Sequence, residues 1–363
     1  MITAQDRRPP VRVLVVDPAP GEMALTELAA FADLGLVPTV NLRRVADADL
    51  RASIKARYQT VDFDGFAEDQ LAAHLEDSGR GFDAVKCRAG IPLTASVLER
   101  ATADTLQRRL VLVGRAAAGS DTFDHAAAQR LGVAICTTPG ANAAAVAELT
   151  VALMLDALRG VSRRANALRA HSWSAAVEDL PTGSLADARV GLVGSGSIAR
   201  RVADLVRAFG AEVWVYGSPR FTTQRAEGWP GRRVTSLTEL LADCDVVSIH
   251  VPATPETAGM FGADQLRLMR PGSVLINSAR ASVVDEQALD QALRDAHSGP
   301  WHAAVDVFGT EGPSFCSVLA DNPHCTLSPH AAGMTWSAMQ TASLRLVDEF
   351  ARFMTGLLSS RAC

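Results

Sequence analysis

Short apolar runs alternate with amphipathic segments along most of this chain. Runs rich in Val, Ile and Leu predict buried strands at residues 11–17, 82–87, 110–115, 133–136, 190–193, 211–216, 245–250, 272–277, 303–308 and 325–328. Apolar residues that recur on one helical face predict helices at residues 23–32, 66–77, 123–131, 200–209, 285–296 and 334–358. Apolar strands that alternate with helices indicate an α/β fold with parallel sheets covered on both faces.

Two stretches depart from this simple alternation. The segment 36–64 is harder to interpret, and we predict a helix over 47–57 and a strand over 60–63. Residues 144–168 predict one long helix that is apolar around most of its circumference. Such a helix packs either in the core or against a second subunit, and the latter would make a homodimer.

A glycine-rich turn joins the strand at 190–193 to the helix that follows it. It reads Gly194-x-Gly196-x-x-Ala199 and is followed by a second strand, so the order is strand, turn, helix, strand. Gly194 permits a tight turn, Gly196 lets the backbone approach a pyrophosphate, and Ala199 lets the helix pack closely on the strand. The first amides of the helix, at Ser197 and Ile198, would face the anion. In this context a dinucleotide site is the prediction, and the alternative is a glycine turn with no ligand.

The end of the second strand lacks the acid that usually binds the ribose 2′-hydroxyl of NAD. The chain reads Tyr216-Gly217-Ser218-Pro219-Arg220 there. A serine hydroxyl and an arginine fork suit a 2′-phosphate, so we predict that NADP(H) is favoured over NAD(H). In the alternative, Arg220 stacks on adenine or points into solvent.

Polar residues follow several of the buried strands. In an open parallel sheet the carboxyl ends of the strands line the ligand crevice, so we expect His250, Asn277, Arg280 and Asp306 to converge beside the cofactor. The turn from Arg88 to Pro92 combines a guanidinium with backbone amides and predicts a carboxylate-binding corner. The alternative is a plain surface turn.

Composition and charge narrow the function classes. The 363 residues carry 35 basic and 40 acidic side chains, a formal net charge of −5, and the charges alternate along the helices, so we expect no nucleic-acid partner. The six cysteines show no metal-ligand spacing, so we predict free thiols, no metal and a cytoplasmic location. No apolar run approaches the length that spans a bilayer, and we predict no membrane association.

Five ordered motifs resemble those of the D-isomer-specific 2-hydroxyacid dehydrogenases, and most closely the 3-phosphoglycerate dehydrogenase branch. They are Gly194-x-Gly196-x-x-Ala199, Val251-Pro-Ala-Thr-Pro-Glu-Thr257, Ile276-Asn-Ser-Ala-Arg280, Val305-Asp-Val-Phe308 with Glu311, and Ser328-Pro-His330. The resemblance spans residues 83–333, whereas the segment up to residue 64 matches poorly. It implies hydride transfer between a nicotinamide cofactor and a small 2-hydroxy or 2-oxo acid.

The resemblance also implies a catalytic triad of Arg280, Glu311 and His330. Reduction of a 2-oxo acid needs a proton on the carbonyl oxygen, and His330 is the natural general acid, oriented by Glu311. Arg280 would hold the substrate carboxylate, a task that suits a planar fork. Asp306 matches the family position that binds the nicotinamide carboxamide. The further expected cofactor contacts are Asn142, Gly194, Gly196, Ser197, Ile198, Ser218, Arg220, His250, Pro252, Thr257 and Ala279, and the expected substrate contacts are Arg88, Ala89, Gly90 and Arg280.

The implied architecture is two doubly wound parallel-sheet domains, with a Rossmann nucleotide domain inserted into a flavodoxin-like substrate domain. The expected substrate domain comprises residues 1–142 and 331–363, and the expected dinucleotide-binding domain comprises residues 143–330. The active site would then lie in the cleft between the domains, where closure excludes water.

Departures from the family pattern leave the substrate open. Ala281 replaces the usual glycine after the catalytic arginine, and Glu311 is followed by Gly312 before the proline, so we expect the loop 300–315 to be reshaped. One alternative function is a dehydrogenase or reductase for a phosphonate- or phosphate-bearing alcohol or carbonyl. Another is an NAD(H)-sensing binding protein similar to the corepressors of this family.

Overall fold

The computed structural model of the protein describes residues 10–88, 90–178, 182–217, 228–295 and 299–360. The chain divides into two compact units. The first comprises Met1–Asn142 with Thr335–Cys363, and the second comprises Ala143–Met334.

The first unit is built on a six-stranded sheet in which all pairings are parallel and the strand order is β3-β2-β1-β4-β5-β6. The strands are β1 (Val11–Val15), β2 (Leu36–Asn41), β3 (Gln59–Val61), β4 (Ala84–Cys87), β5 (Leu112–Arg115) and β6 (Ala134–Thr137). The helices are α1 (Met23–Asp33), α2 (Ala48–Lys55), α3 (Glu68–Glu76), α4 (Ala95–Ala101), α5 (His125–Leu131) and the late helix α13 (Trp336–Ser360).

Each face of this first sheet carries its own apolar core. On one face, residues of β1, β2 and β5 pack against α1 and α13, where Phe31 meets Phe350 edge-on at 5.4 Å between ring centroids. On the other face, Leu14 and Val85 pack against Leu71 and other residues of α3 to α5. Burial on both faces explains why β1, β4 and β5 are mainly apolar rather than alternating.

A buried ion pair lies within the first unit. Lys86 on β4 is completely buried, and its ammonium lies 2.8 Å from a carboxylate oxygen of Glu27 on α1, which is also buried. The ammonium also donates to the carbonyl oxygen of Asp17, and the other Glu27 oxygen accepts from the amide of Ala19 at 2.9 Å. The pair therefore ties β4 and α1 to the segment that follows β1.

The second unit is built on a seven-stranded sheet, also with parallel pairing throughout, in the order β13-β12-β11-β10-β7-β8-β9. The strands are β7 (Arg189–Val193), β8 (Glu212–Tyr216), β9 (Arg232–Val234), β10 (Val246–Ile249), β11 (Val274–Asn277), β12 (His302–Val305) and β13 (Cys325–Leu327). The helices are α6 (Ala143–Arg159), α7 (Val161–Arg169), α8 (Trp173–Val177), α9 (Ser197–Ala208), α10 (Leu237–Asp243), α11 (Ala263–Leu268) and α12 (Glu286–Arg294). The two parallel sheets confirm the predicted α/β fold class.

The single long helix predicted over 144–168 is wrong. Gly160 adopts a left-handed conformation with φ of +60° and separates α6 from α7. Much of α6 is buried, but none of the residues of α7, all of which the structure describes, is buried. A left-handed glycine ends a helix because it redirects the chain at no steric cost. Core packing, one of the two expected arrangements, therefore applies to α6 and not to α7, and packing against a second subunit stays a prediction.

Two elements of the first unit escaped the sequence analysis. β2 was not predicted, because Pro38 interrupts its apolar pattern and a proline argues against a central strand. α4 was also missed, although Thr94 caps it by accepting from the amide of Val97. Within the loop 300–315, whose reshaping relative to the family stays a prediction, the structure has a short 3₁₀ turn at Gly312–Ser314, and Thr310 forms an antiparallel bridge with Cys316.

A buried histidine on β12 makes the second unit sensitive to acid. The hydroxyl of Thr326 donates its hydrogen to Asp156 at 2.8 Å. The hydroxyl oxygen of Thr326 must therefore accept from the Nε2–H of His302, at 3.1 Å. The other ring nitrogen, Nδ1, has no partner within the described part of the chain. Burial, with a smaller contribution from nearby His324, lowers the pKa of His302 to about 4.

We therefore expect the free energy of unfolding to fall between pH 6.5 and pH 4 partly because of His302. The unfolded chain binds a proton there with the ordinary pKa and the folded chain does not, so stability rises with pH by about 1.4 kcal/mol per pH unit for one proton. Urea unfolding of His302→Gln, which keeps a donor for Thr326, should show a shallower pH slope. His125→Gln, at a partly exposed position in the first unit, is the control, and an unchanged slope in His302→Gln would contradict the assignment.

Membrane and metal features were searched over the described ranges only. In these ranges no helix combines the length and apolar character needed to cross a bilayer. The same ranges contain no group of three or more His, Cys, Asp or Glu side chains arranged to hold a metal ion.

Candidate active site

The glycine turn of the second unit has the geometry of an anion-binding loop. β7 ends at Val193, and α9 begins at Ser197 with Gly196 as its N-cap, so no side chain caps its first amides. Gly194 has φ of +119°, and its amide donates to the carbonyl of Tyr216 at 2.7 Å. Among the described residues, nothing lies within 4 Å of the position that a Cβ at Gly196 would occupy. The helix start is thus open, and its uncapped amides fit a pyrophosphate.

The two glycines of this turn are required for different reasons. A Cβ at Gly194 would lie 2.3 Å from the carbonyl oxygen of His250, so the backbone itself blocks a side chain there. A Cβ at Gly196 would enter only the open space in front of α9. The fold therefore requires glycine at position 194, whereas a side chain at position 196 would affect only a ligand that approaches the helix.

We therefore expect Gly194→Ala to lower stability and Gly196→Ala to weaken cofactor binding. Gly194→Ala should lower the free energy of unfolding by about 1–3 kcal/mol or more, because it combines a clash with positive φ. Gly196→Ala should leave stability within about 0.5 kcal/mol and weaken nicotinamide dinucleotide binding by about tenfold or more. Urea unfolding and fluorescence titration with NADH and NADPH measure the two quantities. Unchanged cofactor affinity in Gly196→Ala would contradict an approach of the pyrophosphate to this turn.

Parallel register brings several predicted residues to one edge of the second sheet. Ile249, Asn277 and Val305 are paired across β10, β11 and β12, so the strands end level with one another. His250 and Asp306 directly follow the outer two of these strands, and Asp306 donates its amide to the carbonyl of Asn277 at 2.9 Å. His250, Asn277 and Asp306 therefore lie on the same edge.

His250 is held as a neutral imidazole at this edge. Its Nε2 lies 3.0 Å from the hydroxyl of Ser248, and burial lowers its pKa to about 4. Its backbone amide donates to Val193 at 2.7 Å, beside the glycine turn. A neutral side chain at this place adds no charge of its own next to the dinucleotide loop.

Asn277 fixes the turn that carries Arg280. Its side-chain amide donates to the carbonyl of Arg280 at 3.1 Å, and its side-chain oxygen accepts from the amide of Ala279 at 3.1 Å. Arg280 is half-buried and donates to the carbonyl of Ala279 at 2.8 Å. Ser278 is tied to Thr150 on α6 at 2.8 Å between hydroxyl oxygens. The sequence analysis predicts Asn277 beside the cofactor, which stays a prediction, and the structure shows that its side chain supports the Arg280 turn.

His330 and Glu311 form the central pair of the site. The Nδ1 of His330 lies 2.9 and 2.8 Å from the two carboxylate oxygens of Glu311. The side chains are 49% and 40% exposed, so the pair is accessible to a ligand. A carboxylate accepts hydrogen bonds, so Nδ1 carries the hydrogen and Nε2 remains available for proton exchange. This is the arrangement that a general acid and base requires.

The chain around His330 is held by Asp306. His330 has φ of +53°, which is uncommon for a residue with a side chain. Asp306 is fully buried, and its two carboxylate oxygens accept from the amides of Ala331 at 2.9 Å and Ala332 at 3.0 Å. Its predicted contact with the nicotinamide carboxamide stays a prediction, since the structure shows a different use of this carboxylate. Sequence reasoning missed that use because the partners are backbone amides far along the chain.

A second acid supports the loop that carries Glu311. Glu286 on α12 accepts from the amide of Gly309 at 3.2 Å and from the hydroxyl of Ser317 at 2.8 Å. Glu311 itself accepts from the amide of Phe308 at 3.0 Å, which fixes its carboxylate before any ligand binds. Glu286 was not among the sequence candidates, and its position in the first turn of a helix gave no signal for this role.

The remaining predicted residues are distributed over both units. Pro252 and Thr257 close one turn, in which the Thr257 hydroxyl donates to the Pro252 carbonyl at 2.6 Å. Asn142 precedes α6, at the boundary between the units. Arg88 and Gly90 belong to the first unit, and Arg88 lies 3.7 Å from the sulfur of Met339. Ala89, Ser218 and Arg220 lie outside the described residues.

Comparison with known proteins supports the same interpretation. A family model described as the NAD binding domain of D-isomer specific 2-hydroxyacid dehydrogenases matches residues 151–332, which is half of the chain. The chain belongs to the D-isomer specific 2-hydroxyacid dehydrogenase family. As a member of this family it carries a nicotinamide-dinucleotide domain, which contains the glycine turn and the His330–Glu311 pair.

Curated relatives of this 2-hydroxyacid dehydrogenase family member include two differently named enzymes. The chain is 33% identical over 262 residues to a glycerate dehydrogenase of Methylorubrum extorquens, covering 70% of this chain and 80% of the relative. It is 30% identical over 300 residues to a D-3-phosphoglycerate dehydrogenase of Methanocaldococcus jannaschii, covering 81% of this chain and 53% of the relative. The chain thus spans about half the length of the phosphoglycerate dehydrogenases that it matches.

Solved structures of a reductase and a dehydrogenase show the same fold. A glyoxylate reductase from Paecilomyes thermophila superposes with a TM-score of 0.75 at 24% identity, covering 94% of each chain. A D-lactate dehydrogenase from Aquifex aeolicus, in complex with NAD and lactic acid, superposes with a TM-score of 0.73 at 23% identity, covering 96% of each chain. At these identities the likeness establishes the fold of this 2-hydroxyacid dehydrogenase family member.

Proposed function

We propose that the protein is a nicotinamide-dependent oxidoreductase that interconverts a small 2-hydroxy acid and the corresponding 2-oxo acid. The observation that carries the proposal is the contact of His330 Nδ1 with both oxygens of Glu311 in a member of this family. A histidine oriented in this way through one nitrogen presents the other to a reacting oxygen.

His330, Arg280 and Glu311 divide the chemistry among them in this proposal. A bound nicotinamide supplies the hydride in reduction and accepts it in oxidation. His330 gives a proton to the carbonyl oxygen through Nε2 in reduction and removes it from the hydroxyl in oxidation. Glu311 orients the ring through its Nδ1, and Arg280 binds the substrate carboxylate and polarises the carbonyl.

The proposed cofactor contacts begin at the glycine turn. The amides of Ser197 and Ile198 bind the pyrophosphate over Gly194 and Gly196, supported by the uncapped start of α9. His250, Pro252, Thr257, Ala279, Asn142 and Asp306 are the further proposed contacts, as the sequence predicts. We also propose a preference for NADP(H), which rests on Ser218 and Arg220 in the sequence and on no described atom.

The proposal also includes substrate contacts in the first unit and the formation of a homodimer. Arg88, Ala89 and Gly90 are proposed to bind an anionic group of the substrate, since Arg88 directly follows β4 at the carboxyl edge of the first sheet. We propose a homodimer that uses the surface of α7 and α8. Its support is the exposure of Val161, Leu168 and Trp173, which are 61%, 48% and 72% accessible.

The function is tested by cofactor binding followed by turnover. Purified protein is titrated with NADH and NADPH, and the better-bound cofactor is then oxidised against a panel of small 2-oxo acids, with matched phosphonates in parallel. Oxidation with an oxo acid supports the proposal, and NADPH as the better cofactor supports the Ser218–Arg220 interpretation. Tight cofactor binding with no turnover of any oxo acid would contradict the proposed activity.

A further inference from the structure

A polar groove of about 560 Å³ lies in the first unit, on the face of the sheet next to α3. Leu14, Thr39 and Gln59 form its floor, because they are paired in one register across β1, β2 and β3. Paired residues of parallel strands point to the same side, so these three side chains form a continuous row. Ala73, His74 and Asp77, on α3 and at its end, provide one wall.

The path of the chain explains why this face is open. α3 connects the edge strand β3 to β4, and its Leu71 and Leu75 pack in the cluster that contains Leu14 and Val85. Val40, which follows Thr39 in β2, points to the other face of the sheet and packs with Leu28 on α1. β2 and the edge strand β3 therefore have a groove beside α3, whereas their opposite face is covered.

The two ends of the groove differ chemically. At one end the ring of His74 stacks on Phe63 at 3.9 Å between centroids and an angle of 13°. Asn41 fixes Phe63 through two hydrogen bonds, from its amide to the Phe63 carbonyl and from the Phe63 amide to its oxygen. This end is rigid and aromatic, and it suits the apolar part of a ligand.

The other end is positively charged. Arg12 donates to Asp77 at 2.7 Å and stacks over Phe82 at 4.3 Å, and Arg80 donates to the second oxygen of Asp77 at 2.9 Å. Two guanidinium groups thus share one carboxylate, which leaves one positive charge uncompensated among these three side chains. Arg12 is fixed in orientation, and Arg80 remains 61% exposed. Such a pair is suited to a carboxylate ligand.

The floor contains an unsatisfied polar group. Thr39 is only 5% exposed, and its hydroxyl has no hydrogen-bond partner within the described ranges of the chain. Buried polar groups nearly always have a partner, and one without a partner calls for a specific explanation. A polar ligand on the groove floor would supply that partner.

We propose that this groove is a second small-molecule site, separate from the His330–Glu311 site, and that it binds a small monocarboxylate with an apolar body. Its volume lies within the range of small-molecule sites, its charged end fits one carboxylate, and Val61 and the ring of His74, both partly exposed, fit the apolar part. The proposal depends only on the first unit and not on the proposed oxidoreductase activity.

Benzoate and benzamide are the probes that test the groove. They have the same ring, and only benzoate carries the charge. The full chain with Arg280→Gln, which weakens any anion binding at the oxidoreductase site, is titrated with each by saturation-transfer NMR. We expect benzoate to bind about tenfold more tightly than benzamide and to protect amides of residues 59–61 and 73–80 from hydrogen exchange. Equal binding of the two probes, or protection only elsewhere, would overturn the proposal.

Two substitutions in the groove and one control sharpen the test. Arg80→Gln and Thr39→Val should each weaken benzoate binding by about three- to tenfold. Thr39→Val should also keep or raise the melting temperature, because it removes an unpartnered hydroxyl. Arg57→Gln, at an exposed arginine outside the lining of the groove, should leave benzoate binding unchanged. Unchanged affinity in Arg80→Gln, whose side chain is 61% exposed, would by itself overturn the proposal.

Discussion

Replacing His330 with alanine is expected to lower kcat for 2-oxo acid reduction by about 10²–10⁴-fold, which is the usual contribution of a general acid. The dissociation constant of the nicotinamide cofactor should stay nearly unchanged, because the glycine turn that we propose binds it lies elsewhere in the chain. His330 is half-exposed and contacts Glu311, so its removal leaves no buried group unpaired. Steady-state kinetics and a cofactor titration on the same preparation measure both quantities.

The matched control for this variant is His171→Ala. His171 belongs to the same unit, is exposed, and also has a left-handed backbone with φ of +57°. Both substitutions therefore place alanine at a strained position, and only one of them removes the proposed acid. Activity of His330→Ala that matches His171→Ala would refute the role assigned to the His330–Glu311 pair.

Replacing Lys86 with methionine is expected to lower the free energy of unfolding by about 3–5 kcal/mol, as when one member of a buried ion pair is removed. The ammonium contacts Glu27 and the Asp17 carbonyl in a completely buried position, so methionine leaves the Glu27 carboxylate without its countercharge. Urea unfolding followed by circular dichroism measures the loss. Lys55→Met at an exposed position of α2 is the control and should change stability by no more than about 0.5 kcal/mol.

A double variant separates the charge from the packing. Adding Glu27→Gln to Lys86→Met removes the isolated carboxylate, while the amide oxygen still accepts from the backbone of Ala19. We expect this second change to recover part of the lost stability, since a neutral group needs no countercharge. No recovery in the double variant would mean that the shape of the lysine side chain, and not its charge, stabilises the first unit.

Much of the architecture could be predicted because it depends on local patterns. The alternation of apolar strands and helices indicated two parallel sheets, and Gly194 and Gly196 marked the turn between β7 and α9. β2 was missed because Pro38 made its pattern irregular, although Leu36 and Val40 are buried. The break at Gly160 was missed because an isolated glycine within a helical pattern is often tolerated, and only the conformation decides.

The chemistry of the site could be predicted less completely. Glu311 and His330 were predicted as partners through a family resemblance, and their distance required a structure. The carboxylate of Asp306 reaches amides 25 and 26 residues away, and Glu286 holds a loop through Ser317, 31 residues away. Contacts of this kind leave no periodic signal in a sequence. The groove next to Thr39 depends on where α3 crosses the sheet, which no local pattern specifies.

The burial of Lys86 makes amine chemistry a direct reporter of the folded state. The chain contains only two lysines, and the other, Lys55, is exposed. An amine-reactive reagent should therefore modify the native protein at Lys55 and at the α-amino group, and Lys86 should react only when the first unit opens. Mass spectra of the peptide that contains Lys86, taken over time, would then count opening events without an engineered label. Lys55 likewise gives a single lysine side chain for attachment of a fluorophore or a surface.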